Sequence, residues 1–175
     1  MLKRKIVLLL ILWPTLCFPN DRAPSGEPVQ SLQQTVGHGE NGMPVLAVPN
    51  IGYHFTTWSD GRTDNPRTDT NVTADINVTA YFEINKYTVI HQIDGTAGAT
   101  FTGVPVQTVD YGSSTTAVLA VPPSWCVFAG WTKGGEPYSK DNPLVITNIT
   151  TDTMVMATFE RPYRPAAAKD WEYYY

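Results

Sequence analysis

The side chains able to do chemistry are few, and most stand apart from one another. Asp60, Asp64, Asp69 and Asp75, interleaved with Asn65 and Asn71, crowd oxygen atoms into one short stretch. Such oxygens suit a hard cation such as Ca2+, but the spacing is not that of an EF-hand loop. Asp and Asn also close turns by bonding nearby backbone, and that is the assignment preferred here, with calcium left open. His38, His54 and His91 have no His or Cys partner at metal-ligand spacing. His54 lies between Tyr53 and Phe55 in a strand-like run and is expected on an exposed strand position rather than as a base. No Gly-Xaa-Ser-Xaa-Gly elbow, phosphate-binding glycine loop or zinc-protease helix occurs. We therefore expect no catalytic residue, no metal site and no cofactor: the chain is not expected to be an enzyme.

Aromatic rings offer another chemistry, stacking on sugar faces. Trp58 and Trp131 are assigned to the core of a small β domain. Trp125 stands where the corresponding earlier position is Gly52, and it is the one candidate ligand-binding residue. Cys126, beside Trp125, Val127 and Phe128, is expected in a packed strand as a small buried hydrophobe rather than a reactive thiol. With Cys17 as the only other cysteine, no disulfide scaffold is built.

Around these residues the composition is that of short strands and turns. Only 16% of residues are charged, Gly and Pro are plentiful, and no long run repeats every 3.6 residues. Residues 1–17 have the order of an export signal: Lys3, Arg4 and Lys5, an apolar run from Ile6 to Trp13, then Pro14. The apolar run is too short to cross a bilayer as a helix. Cleavage is expected before Phe18, with a later site near Ala23 and Ser25 as the alternative, so the end lies between 17 and 25. Lipidation on Cys17 is the less favoured outcome, because Leu16 is larger than a lipobox accepts. Without the three leading basic residues, the net charge moves from −4 to −7, with 9 basic against 16 acidic side chains. A chain so acidic, with no basic stripe, is not expected to bind nucleic acid.

The elements that position the rest come in duplicate. Gln34 to Trp58 aligns without a gap on Gln107 to Trp131, with VLAVP repeated letter for letter. Ser59–Thr63 (SDGRT) is then replaced by the longer Thr132–Lys140 (TKGGEPYSK), after which Asp64-Asn65-Pro66 meets Asp141-Asn142-Pro143 and Thr70-Asn71 meets Thr147-Asn148. Two ungapped blocks parted by one loop insertion indicate duplication of a single unit. The expected organisation is a signal over 1–17, a linker over 18–33, module 1 over 34–84, module 2 over 86–160 and a tail over 161–175.

Within module 1, Ile76, Val78, Ala80 and Phe82 alternate with polar residues and predict the closing strand, with Asp75 at a turn. Thr153, Val155, Ala157 and Phe159 repeat the pattern in module 2. Val45–Val48 and Val118–Val121 read as further strands, ended by Pro49 and Pro122. Phe55 and Trp58 are three apart, as are Phe128 and Trp131, which requires a bulge or places one ring on a neighbouring unit. Module 2 opens with the β-rich run Lys86–Ile90. The same offset in module 1 falls in the signal and linker, so module 1 either lacks its opening strand or borrows one. So small a unit is marginal alone and is expected to pack on module 2 across Ile84-Asn85.

The runs GYHFTTWSDG, NPRTDTNVTADINVTAYF and NKYTV resemble the bacterial repeats related to the internalin B-repeat, also called the Listeria–Bacteroides repeat. Module 1 resembles them from Gln34 to Phe82. Module 2 does so from Tyr87 to Phe159, departing where Gly52-Tyr53 becomes Trp125-Cys126 and WSDG becomes WTKG. The resemblance implies mostly β, β-grasp-like modules in tandem, in exported or surface proteins of bacteria, with no catalytic residues to transfer. The expected function is a secreted or cell-envelope structural or adhesive module. The alternative is a carbohydrate-binding module using exposed aromatics. The expected partner is a surface protein or glycan, and the chain is not expected to be integral to the membrane.

Overall fold

The computed structural model describes residues 3–10 and 30–162. The predicted leader beyond Leu10, with Cys17, most of the linker, and the tail from Tyr163 onward lie outside the described residues. The chain divides into two compact units, one ending at Lys86 and the other beginning at Tyr87. The fold is mostly β, and among the described residues there is no helix.

The first unit holds β1 (Lys3–Leu10), β2 (Gln30–Gly37), β3 (Tyr53–Trp58) and β4 (Ile76–Ile84). They form one sheet in the order β2-β1-β4-β3. β1 is antiparallel to β2 and parallel to β4. The second unit holds β5 (Lys86–Ile93), β6 (Thr100–Thr102), β7 (Val106–Asp110), β8 (Leu119–Val121), β9 (Val127–Lys133), β10 (Glu136–Ser139) and β11 (Thr153–Glu160). Its main sheet runs β10-β9-β11-β5-β7, while β6 and β8 pair separately. In both modules the first and last strands are parallel neighbours at the centre.

The expected lack of an opening strand in module 1 is corrected by β1. Ile6 stands opposite Ile76 as Val89 stands opposite Thr153, the matching positions of the two modules. The backbone N–H of Lys5 donates to Asp75, and that of Thr88 donates to Asp152. Module 1 thus takes its opening strand from the stretch that reads as an export leader. β2 also begins at Gln30, inside the stretch expected to be linker.

The Phe/Trp spacing is explained by a bulge. The β3–β4 register shifts between Phe55 and Thr57, and the β9–β11 register shifts between Thr158 and Phe159. One extra residue per pair returns both rings to one face. The Phe55 and Trp58 centroids are then 5.4 Å apart, and those of Phe128 and Trp131 5.9 Å. Val45–Val48 is not a strand: it makes one isolated bridge, Val45 to Arg67. In module 2, Leu119–Val121 forms β8 because β6 pairs with it. The residues at the same offset as β6, 27–29, lie outside the described part.

Each core is built from the recurring apolar letters. Val45, Ala47, Trp58, Val72, Val78 and Ala80 are buried in one, and Val118, Ala120, Trp131, Ile149, Val155 and Ala157 in the other. The recurring polar letters hold the chain around those cores. Asn65 accepts from Ala47 N–H and donates to Ala47 C=O, and Asn142 treats Ala120 identically, each bond 2.8 Å. Gln34 brackets Met43 and Gln107 brackets Thr116 in the same two-way manner. Asn71 and Asn148 sit at φ of 50° and 53°, a left-handed conformation that Asn tolerates better than most residues.

Ala120 is itself buried, so Asn142→Ala strands a buried donor and a buried acceptor. We expect it to destabilise module 2 by about 1–3 kcal/mol, read as a fall in the denaturant midpoint.

Candidate functional site

Because the shared residues hold the fold, the places where the modules differ are the candidates for individual function. Three such places stand out.

In module 2 the longer insertion becomes a hairpin. Gly134 and Gly135 have φ of 61° and 89°, the pair of positive values that a two-residue I′ turn requires. The chain returns as β10, a strand with no counterpart among the described residues of module 1. Gly130, Thr132, Tyr138, Ser139, Lys140 and Thr158 border an open groove of about 410 Å3 beside it. Lys140 donates to Ala129 C=O, and Thr158 Oγ1 donates to Gly130 C=O. Tyr138 is 43% exposed, with the Lys133 ammonium 5.9 Å from its ring centroid. No nucleophile–base pair occurs here. The groove offers the Tyr138 ring with the Lys133 ammonium over one face, which suits a polar ligand more than a reaction.

Trp125 lies in the turn before β9 and is 48% exposed. Its ring is not open on both faces, since the Arg161 guanidinium stands 5.5 Å from the centroid. Cys126 is a correction: it occupies the turn rather than a packed strand, and it is half-buried, with its N–H donating to Pro123 C=O.

In module 1 the difference is a charge network. Arg67, 3% exposed, bonds Asp60 and Asp69, while Arg62 bonds Asp64 and Asp69. The Arg67 guanidinium also lies 5.5 Å from the Trp58 centroid. Module 2 carries Leu144 and Ile146 at the positions of Arg67 and Asp69, and both are core residues. The bond from Arg67 holds the Asp60 carboxyl below its usual range, and that from Arg62 does the same for Asp64. Burial pulls the Arg67 guanidinium down, but its bonds to Asp60 and Asp69 outweigh this and leave it raised. The acidic stretch is thus engaged by arginines. Asp75 stands outside the network, bonded to the Lys5 N–H. The interleaving of Arg62 and Arg67 with Asp60, Asp64 and Asp69 is the signal in the sequence that points to this network.

The histidines remain separate. His54 is exposed on β3, its Nδ1 2.8 Å from Asn85 Oδ1. His91 is buried in β5, edge-on to Trp131 at 5.5 Å. Its Nδ1 donates to Pro105 C=O, while Nε2 is buried without a partner among the described residues. Burial lowers its pKa. The unfolded chain therefore binds the proton more readily, so this residue's contribution to stability is complete above the ordinary value of 6.5 and is lost as pH falls toward the folded value. His91→Leu is expected to flatten the dependence of the module 2 melt between neutral pH and about pH 5, followed by calorimetry across that range. An unchanged slope would assign the dependence elsewhere.

Among the described residues, no helix is long and apolar enough to cross a membrane. Comparison with known families matches residues 25–86 and 88–162 to the model described as the divergent InlB B-repeat domain. No curated protein matches the chain. Among solved structures, the Streptococcal High Identity Repeats in Tandem (SHIRT) domains 3-4 from a cell surface protein are similar at 15% identity. That match covers 90% of this chain and 98% of that one, with a TM-score of 0.28, too loose a superposition to carry an inference.

Proposed function

The chain belongs to the divergent InlB B-repeat family, and from that premise we propose that it is an exported cell-surface protein acting as a non-catalytic structural or adhesive repeat module. One observation carries the non-catalytic part. The recurring polar side chains make the same bonds in both modules: Asn65 and Asn142 to Ala47 and Ala120, Trp58 and Trp131 Nε1 to the Asp64 and Asp141 carbonyls. Groups committed to backbone in both copies are scaffold. Export is supported by the order of charge and apolarity in residues 1–17, with secretion or retention in the cell envelope as its destination.

Protease added to intact cells tests the surface location, and retention of those cells on immobilised host or cell-wall material tests adhesion. A chain that stays uncut until the cells are lysed would sink the surface reading.

A second reading, carbohydrate binding, is favoured by the exposure of Trp125 and Tyr138. Tryptophan emission titrated with a glycan panel discriminates. A saturable shift lost in Trp125→Ala supports it, and a flat response across the panel ends it.

A further inference from the structure

β1 occupies the centre of its sheet, yet it is made of the residues that the export reading removes. β2 pairs with β1 and with no other strand of its sheet, and β4 has β1 on one flank and β3 on the other. Without β1, both β2 and the inner edge of β4 lose their ladder. The position lined by Val78, Ala80 and Trp58, where Ile6 is 1% exposed, then opens to water. An unpaired central edge beside a preformed apolar floor is the setting for β-augmentation by an added strand.

The two strands that fill this position define what it accepts. Lys3-Arg4-Lys5-Ile6 in module 1 and Lys86-Tyr87-Thr88-Val89 in module 2 share a basic first residue and a buried β-branched fourth one. The slot is also sized at that fourth position. A Cβ on Gly42 would lie 2.9 Å from Ile6 Cδ1, and the residue at that offset in module 2 is the buried Thr115, facing a module whose strand carries the smaller Val89. Glycine thus makes room for isoleucine in module 1.

We propose that module 1 is a strand acceptor. With Lys3–Leu10 out of the sheet, the slot between β2 and β4 binds an extended segment of a partner chain, basic at its first position and isoleucine or valine at its fourth. The segment runs parallel to β4 and antiparallel to β2, as β1 does. The occasion for an empty slot rests on the export reading; the capacity of the slot does not.

The test uses the full chain carrying Ile6→Asp, which places a carboxylate in the buried position and expels β1. Amide exchange along β4 should accelerate roughly a hundredfold or more. Adding the free peptide Lys-Tyr-Thr-Val-Ile-His-Gln-Ile, the sequence of β5, should restore protection on β4, and its form with Ile at the fourth place should do so at lower concentration. The peptide with Asp at that place should do nothing. A companion chain with the β5 sequence grafted over residues 3–10 should protect β4 without added peptide, which shows that the slot still forms. Undiminished β4 protection in Ile6→Asp overturns the proposal. So does a free peptide that gives no protection, or a graft that leaves β4 open. N-terminal sequencing of the exported chain tests the export reading separately. Retention of Lys3–Leu10 would sink leader removal while leaving the peptide result to stand on its own.

Discussion

Trp131→Ala is expected to cost module 2 about 3–5 kcal/mol, the range for truncating a fully buried large aromatic. The indole is 1% exposed and is packed by Phe101, stacked at 6.0 Å, by Phe128 and by His91. Its Nε1 donates to the Asp141 carbonyl at 2.9 Å, so truncation also leaves that acceptor without its donor. A module of this size has a total stability of about 4–11 kcal/mol, so the loss consumes much or all of it. Hydrogen exchange on β9 and β11 reads the result. Exchange that stays within a few fold of the parent rate would mean that the cavity collapses far better than the packing suggests. Trp58→Ala should do the same to β3 and β4, where both the Phe55 ring and the Arg67 guanidinium lie against the indole.

The second large effect concerns Arg67. Removing one member of a buried ion pair leaves a buried charge uncompensated, at about 3–5 kcal/mol. Arg67→Ala belongs at the lower end, because Asp69 keeps its bond to Arg62 and Asp60 is partly exposed. Replacing the buried pair together by Arg67→Leu and Asp69→Ile reproduces what module 2 carries as Leu144 and Ile146. That double change is expected to recover most of the loss, since well-packed apolar residues commonly match a buried ion pair in stability. Urea midpoints of the single and double variants decide it. Additive losses would show that the ionic network holds the loop in a way that packing cannot replace.

The same network makes part of module 1's stability depend on acid. Asp60 and Asp64 are held below the ordinary value of 3.8. Their contribution is therefore present above that value and is lost as pH falls through the lower, folded values. Both arginines remain charged throughout. Because Asp60 and Asp64 lie near the surface, added salt should shrink this contribution.

How much of this was written in the residues can be seen strand by strand. The alternation from Ile76 to Phe82 predicted β4, and its repeat predicted β11, because a two-residue period has one physical solution when one face is buried. Asn65 and Asn142 were legible as recurring letters, but their bonds to Ala47 and Ala120 span about twenty residues, and spacing does not predict a contact of that range. Val45–Val48 looked like its twin Val118–Val121 and is not a strand, because a strand exists only where a second one pairs with it. The candidate site was the less legible part. Trp125 was read as an exposed aromatic from its mismatch with Gly52, while Arg161 over its ring was not foreseeable. The Arg62–Arg67 network is legible only when the carboxylates are taken together with the arginines between them, because each ion pair needs both charges.

Repetition in the chain determined by itself that there are two β modules of one family, where the loop insertion falls, and which aromatics form the cores. Local pattern suffices for these, since alternation, turn residues and duplication are properties of neighbours in sequence. The place of Lys3–Leu10 in the sheet was decided by tertiary structure alone. A short, continuous apolar run satisfies the requirements of an export leader and of a central strand equally. The strand role is visible only in the pairing of Ile6 against Ile76, beside β2.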